Sequence, residues 1–333
     1  MITRYSSLVL LLVLLSCGQN QSSEKETDGR IPIMVDTDAN NELDDQHALA
    51  YVLLNSDVFD VQGVTVNHTA VGTIQNDYEE AKRVMILCDA WGKIPLKVGV
   101  DSSRYPNLKD QLEDPYHEGY EAVNFIIEQA RKWEGEKLLL APIGKLTNIA
   151  LALTKDPEIV EKVKVVWLGS NYYGKDGPDG EHNLRHDPDA YNAVISSGVD
   201  FTMVTVRYGA PSGTDAVAVH VNDIKRIMPG LVPSSKAVTG RHGGTFTSFG
   251  DYSINLFVNY TDGTRPLFDM ALFAILKNSS WAKSSMIVAP KLMGDYWSGL
   301  FENRRITIVE NFNKEAILGD FFETMRNPNH INF

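Results

Sequence analysis

Two cysteines in 333 residues leave no room for a disulfide framework. One of them, Cys17, closes an apolar leader, so the mature chain keeps Cys88 alone and no intrachain disulfide is possible. Positive charge is also short. The 31 Lys and Arg against 43 Asp and Glu give a formal net charge of −12, which argues against nucleic acid as a partner. Apolar runs that could span a bilayer are missing, since Leu8–Leu15 is too short. There is no internal repeat and no second low-complexity linker. The part beyond residue 30 is about 300 residues long, which suits one large domain.

The leader nevertheless carries information. Arg4, then Leu8–Leu15, then Leu14-Leu15-Ser16-Cys17 have the layout of a secretory signal. The ending resembles a bacterial lipobox, which makes Cys17 an acyl anchor and places the protein at the cell envelope. Membrane attachment is then through Cys17 only. Residues 18–29 are polar and read as a flexible tether, with a globular domain over 30–333. Cys88 continues the apolar series Ile74, Tyr78, Ala81 and Met85 on one helical face and reads as core.

What the sequence has in plenty is acid in one place. Asp36, Asp38, Glu42, Asp44 and Asp45 fall within ten residues, directly after the apolar run Ile33–Val35. That run reads as a buried strand and the stretch 46–54 as a helix. The acids therefore sit where ligands bind in open α/β sheets, at the C-terminal end of a strand. Clustered carboxylates raise one another's pKa unless a cation neutralises them. A hard, oxygen-liganded ion such as Ca²⁺ or Mg²⁺ fits them. Helix capping needs one acid, not four. An EF-hand is excluded because Asn41 holds the glycine position and His47 the bidentate glutamate position.

Strands and helices alternate. Strands are expected at 60–66, 96–100, 137–141, 163–168 and 201–206, and helices at 73–91, 120–132, 146–154 and 189–196. In the last third the pattern gives helices at 248–259, 266–276 and 314–325 and a strand at 305–310. The alternation implies an α/β class fold: a Rossmann-like, open, mostly parallel sheet with helices on both faces.

Four segments, in order, resemble the calcium-dependent, inosine-uridine preferring nucleoside hydrolases. They are Asp36-Thr-Asp38…Asp44-Asp45, Pro142-Ile-Gly-Lys-Leu-Thr-Asn-Ile-Ala150, Glu181-His-Asn183 with the following Asp187-Pro188, and Pro266-Leu-Phe-Asp269. The resemblance implies Ca²⁺ held by Asp38, Asp45, Asp269 and the main-chain carbonyl of Thr147. It implies Asp38 as general base on the attacking water, and Asp44, Glu181, Asn183 and Asp269 around the ribose, with Asn67 in the place of a ribose-contacting asparagine. Asp36 supports the loop from behind. The partner is then a nucleoside or related glycoside. Family members commonly form dimers or tetramers, so a homo-oligomer is possible. Without the resemblance, Thr147 and Asn148 read as a helix entry, and Asp187 and Asp189 as turn and cap residues.

Two departures stand out. Five residues, Ala39–Leu43, separate Asp38 from Asp44, where the family usually has three. The family's histidine that protonates the departing base is Phe268 here. His68, His182, His242, Tyr252, Tyr260 and Trp297 are candidates for a base pocket. Two other functions fit part of the pattern. One is a lipid-anchored binding protein that has lost turnover, suggested by Phe268. The other is a haloacid-dehalogenase-type phosphohydrolase, suggested by Asp36-X-Asp38, which leaves the Glu181-X-Asn183 segment unexplained.

Overall fold

The computed structural model describes residues 29–331. The expected leader (1–17) with Cys17 and nearly all of the expected tether (18–29) lie outside the described residues.

The chain opens with β1 (Ile31–Thr37), α1 (Asp44–Leu53), β2 (Phe59–Val66), α2 (Ile74–Leu87) and β3 (Leu96–Val98). A short α3 (Tyr105–Leu108) precedes α4 (Tyr120–Lys132), β4 (Leu138–Pro142), α5 (Thr147–Lys155) and β5 (Val163–Leu168). Then follow β6 (Gly177–Pro178), α6 (His182–His186), α7 (Pro188–Ser196), β7 (Asp200–Val204), β8 (Ala218–His220), α8 (Val221–Ile227), β9 (Pro233–Thr239) and β10 (Thr245–Ser248). The last part holds α9 (Phe249–Tyr260), β11 (Thr264–Pro266), α10 (Phe268–Lys277), β12 (Lys283–Met293), β13 (Tyr296–Glu310) and α11 (Lys314–Arg326).

The main sheet has the order β12-β13-β7-β5-β4-β1-β2-β3, with β6 paired to β13. Strand β1 is central and pairs in parallel with β2 on one side and β4 on the other. Strands β3, β5, β7 and β13 continue the parallel pairing outward, while β12 and β6 run antiparallel to β13. The chain thus reverses its direction of travel across the sheet between β1 and β4. The carboxyl ends of these two strands border the crevice where such sheets take their ligands.

The strands build two cores by simple alternation. Ile33 and Val35 of β1, Leu139 and Ala141 of β4, and Val166 and Leu168 of β5 pack on one face, with residues from α1, α2, α9, α10 and α11. Met34, Leu138, Leu140, Val163, Val165 and Trp167 pack on the other, with α4, α5 and α7. Strands buried on both faces read as apolar runs, which is why β4 and β5 were legible. Of the long β12–β13 hairpin, only 305–310 at the end of β13 was expected. Strand β12 begins Lys283-Ser-Ser and exposes its first four residues at the sheet edge, so it carries no apolar signature. Helix α8 and the two-stranded pairs β8–β11 and β9–β10 are likewise short and were not anticipated.

Candidate active site

Asp36 is the innermost acid and is fully occupied. Its Oδ1 accepts from Thr65 Oγ1 (2.6 Å) and Asn148 Nδ2 (2.8 Å), and its Oδ2 from Asn67 Nδ2 (2.9 Å). Asn148 also donates to the Val66 carbonyl and accepts from the Val100 amide. This network ties the ends of β1, β2 and β3 to α5. Burial still pushes the Asp36 carboxyl up to about 6.

Beyond it, Asp38 leaves β1 and lines a cavity together with Asp44, Asp45, Glu181, Asn183 and Asp269. Thr69 Oγ1 donates to its Oδ2. Burial is the main cause that holds the Asp38 carboxyl up at about 7, with Asp77 and Asp36 adding to it.

Asp44 and Asp45 open α1, and Asp269 sits in the first turn of α10. Leu43 is the N-cap of α1 and no side chain caps that helix, so the acids are not caps. Carboxylate oxygens of Asp44, Asp45 and Asp269 all lie within 4.8 Å of one another, and all three residues are buried. Two helix N-termini converge on the group, and their partial positive charge offsets part of the repulsion. It does not offset all of it. Burial holds Asp44 up at about 7 and Asp45 and Asp269 well above the carboxylate range, and each is raised further by its neighbours. Thr37 Oγ1 donates to Asp45 at 2.5 Å.

Glu181 lines the opposite wall and caps α6. It accepts from the backbone amides of Ser170, Asn183 and Leu184, each at 2.9 Å. Asn183 donates both amide hydrogens to main-chain carbonyls, of Ile143 at 2.9 Å and Leu168 at 3.0 Å. Between them His182 Nε2 meets Asn41 Nδ2 (2.8 Å) and Thr69 Oγ1 (3.2 Å) and lies 4.0 Å from Asp38 Oδ2. Burial, then His186 and Arg185, hold this imidazole down at about 3.

Of the expected site residues, the structure brings Asp38, Asp44, Asp45, Glu181, Asn183 and Asp269 to this one cavity. Two other expected residues face elsewhere. Thr147 is the first residue of α5; its Oγ1 donates to Asp187 at 2.6 Å and its carbonyl belongs to the helix ladder. Ile143, at the end of β4, is the residue of that segment that lines the cavity. Asn67 lies behind the site as a donor to Asp36 and does not line the cavity. Asp38 lines the same cavity as the close carboxylate group of Asp44, Asp45 and Asp269. Asp187 caps α7 through the Ala190 amide, as its turn chemistry suggested.

Among the base-pocket candidates, only His182 lines the cavity. Tyr260 adjoins it by donating to Glu42 at 2.6 Å. His68 bonds Asp77, Tyr252 bonds Glu80 and Trp297 bonds Asp179. His242 is exposed and accepts from Arg241. The residues that sequence reading missed are Asn41, Glu42, Tyr208 and Ile143 in the wall, and Thr69 behind Asp38. The unusual length of the 39–43 loop was the signal for the first two, and Glu42 also stood in the acid cluster.

A Cβ added at Gly144 would stand 2.8 Å from both amide atoms of Asn67 and 2.9 Å from Asp38 Oδ1. Gly144→Ala is therefore expected to shift Asp38. Misplacing a reacting group by about 1 Å costs on the order of 10²-fold in rate. Turnover measured beside an unchanged circular dichroism spectrum checks this, and full activity would show that Asp38 is not constrained from behind.

The chain is similar to known proteins. The family model for inosine-uridine preferring nucleoside hydrolases matches residues 33–318. The chain belongs to that family. By its family this nucleoside hydrolase is an enzyme acting on N-glycosyl bonds. It is 25% identical to the pyrimidine-specific ribonucleoside hydrolase RihB of Escherichia coli over 247 residues, covering 68% of this chain and 73% of that one. It is 30% identical to the non-specific ribonucleoside hydrolase RihC of Klebsiella pneumoniae over 191 residues, covering 52% and 60%. Among solved structures, a plant nucleoside hydrolase superposes with a TM-score of 0.69 at 18% identity, over 89% of this chain and 99% of that one. The nucleoside hydrolase of Bacillus anthracis gives 0.64 at 17% identity, over 89% and 99%.

Nucleoside hydrolases of this family typically bind Ca²⁺. The residues present fit that ion. The donors are oxygens, the three close carboxylates are buried, and burial, with mutual repulsion added, raises the pKa of each.

Proposed function

We propose that this enzyme hydrolyses the N-glycosidic bond of ribonucleosides or close analogues, giving free base and ribose. The observation that carries the reading is the pairing, across one cavity, of Asp38 beside a compact carboxylate group with the Glu181–Asn183 wall. In this reading Asp44, Asp45 and Asp269 hold the cation, which when bound acidifies a water and orients sugar hydroxyls. Asp38 takes the proton as water attacks C1′, and its raised pKa suits a general base near neutral pH. The C1′–N electron pair passes to the base. The transition state is oxocarbenium-like, and the carboxylates around the ring favour its positive charge. Glu181 and Asn183, rigid because α6 and the main chain fix them, position the sugar. The phosphohydrolase alternative needs Asp36 as a nucleophile, yet Asp36 is saturated by three donors and does not line the cavity.

The test is reducing-sugar release from purine and pyrimidine ribonucleosides by residues 30–333, with Ca²⁺ and with chelator. Chelator-sensitive release is expected. Tight nucleoside binding with no product after prolonged incubation would replace this reading with that of a binding protein. The anchor expected at Cys17 would place the activity at the cell envelope, and recovery of the activity in the cytosolic fraction would end that part of the proposal.

A further inference from the structure

With Phe268 in place of a proton-donating histidine, departure of the base needs another source of help. The acid-lined cavity continues into an outer hollow that shares Glu42, His182, Tyr208 and Phe268 with it and adds Arg265. A sugar whose reacting carbon faces Asp38 leaves this hollow for the base. Tyr208 and Phe268 meet edge to face there, with ring centroids 5.7 Å apart. The Arg265 guanidinium lies 4.7 Å from the Tyr260 ring centroid and 5.2 Å from that of Phe268. Glu42 anchors it: one oxygen pairs with an Arg265 terminal nitrogen and the other accepts from Tyr260. Arg265 Nε is buried and has no hydrogen-bond partner among the described residues. A guanidinium has five donors in a plane, so the ion pair with Glu42 leaves donors free.

Other groups at the hollow are poorer aids. His182 is held neutral, and Arg185 is exposed and directed at His182 Nδ1. The Asp215 carboxyl, raised by burial, accepts from the Gly209 amide.

Resting on the nucleoside-hydrolase reading, we propose that Arg265 is a catalytic residue that stabilises the departing base as an anion. As water adds to C1′ and its proton passes to Asp38, the C1′–N bond breaks and its electron pair stays on the base nitrogen. The guanidinium, in a site walled by aromatic rings, balances that charge until solvent water protonates the base. Glu42 and Tyr260 hold the guanidinium in place.

The test compares kcat/KM on inosine and uridine with that on 4-nitrophenyl β-ribofuranoside, whose leaving group is a stable anion without help. Arg265→Met is expected to lower nucleoside turnover on the order of 10²-fold more than nitrophenyl turnover, and Arg265→Lys to recover part of the difference. Glu42→Gln loosens the guanidinium but keeps the cation, so it is expected to cause a selective nucleoside loss smaller than that of Arg265→Met. Equal losses on both substrates in Arg265→Met and Glu42→Gln would reduce the pair to a loop clamp and overturn the proposal. A selective nucleoside loss in Asp215→Asn but not in Arg265→Met would assign the role to a carboxyl proton and also overturn it. Wild-type protein inert on both substrate classes would overturn the nucleoside reading, and this inference with it.

Discussion

Asp38→Asn is expected to fold, to bind calcium and to turn over on the order of 10²- to 10⁴-fold more slowly, the range for loss of a general base. The fold survives because the exchange is isosteric and relieves a burden. Asp38 is buried and its carboxyl is held up at about 7 by desolvation, so a neutral amide costs less there than a carboxylate. Thr69 still finds an acceptor in the amide oxygen. Calcium binding survives because the close carboxylate group is Asp44, Asp45 and Asp269. Asp36→Asn gives the contrast. There an amide nitrogen would face donors already committed to the carboxylate, and an unsatisfied buried group costs about 1–3 kcal/mol. Steady-state kinetics with calcium titration separates the cases. A calcium-induced shift in melting temperature that disappears in Asp38→Asn would restore Asp38 to the ligand set and sink this assignment.

The sheet and the general position of the site were legible because both rest on strong local signals. Strands β1, β4 and β5 are apolar runs buried on two faces, and acids bunched at the end of β1 mark the crevice. Asp269 stood out because it interrupts an apolar stretch, and a buried acid needs a partner. The errors share a cause. A motif places a residue near a site but does not say which atom faces it. Thr147 and Ile143 lie in one segment, yet only Ile143 reaches the cavity, because β4 ends before it and α5 starts at Thr147. Asn67 follows β2 in the expected place, but its amide turns back to Asp36. The 39–43 loop was visible as an irregularity, while its consequence was not. Asn40 accepts from Arg241 through its carbonyl, Asn41 meets His182 and Glu42 meets Arg265. Those partners lie far along the chain, and no local spacing encodes them.

Calcium withdrawal is expected to abolish turnover and to lower the melting temperature most at high pH. The acids dictate the direction. Asp36 stands at about 6, Asp38 and Asp44 at about 7, and Asp45 and Asp269 higher still, all raised chiefly by burial from an ordinary value of 3.8. Below the ordinary value these groups are protonated in the folded and unfolded chain alike, and their burial is cheap. As pH rises through the folded values the unfolded chain has already ionised, so the metal-free folded state loses stability. A bound cation replaces the protons, and its contribution therefore grows over the same window. His47 has the opposite sign, since burial holds its imidazole down at about 4 and the folded state loses stability as pH falls through the ordinary histidine range toward that value. Subtracting melting curves taken in chelator from those taken in calcium removes the His47 contribution. At a hundredfold excess over Kd the ion stabilises by about 2.7 kcal/mol, which for a domain of this size is on the order of 5 °C. The expected result is a calcium shift of that order at pH 8 that shrinks toward zero at pH 5, and that Asp269→Asn largely removes. An equal shift at both pH values would mean that the ion binds away from these carboxylates. No shift at pH 8 would mean that the group is stable without a cation, and the metal would then have to be sought elsewhere in the reaction.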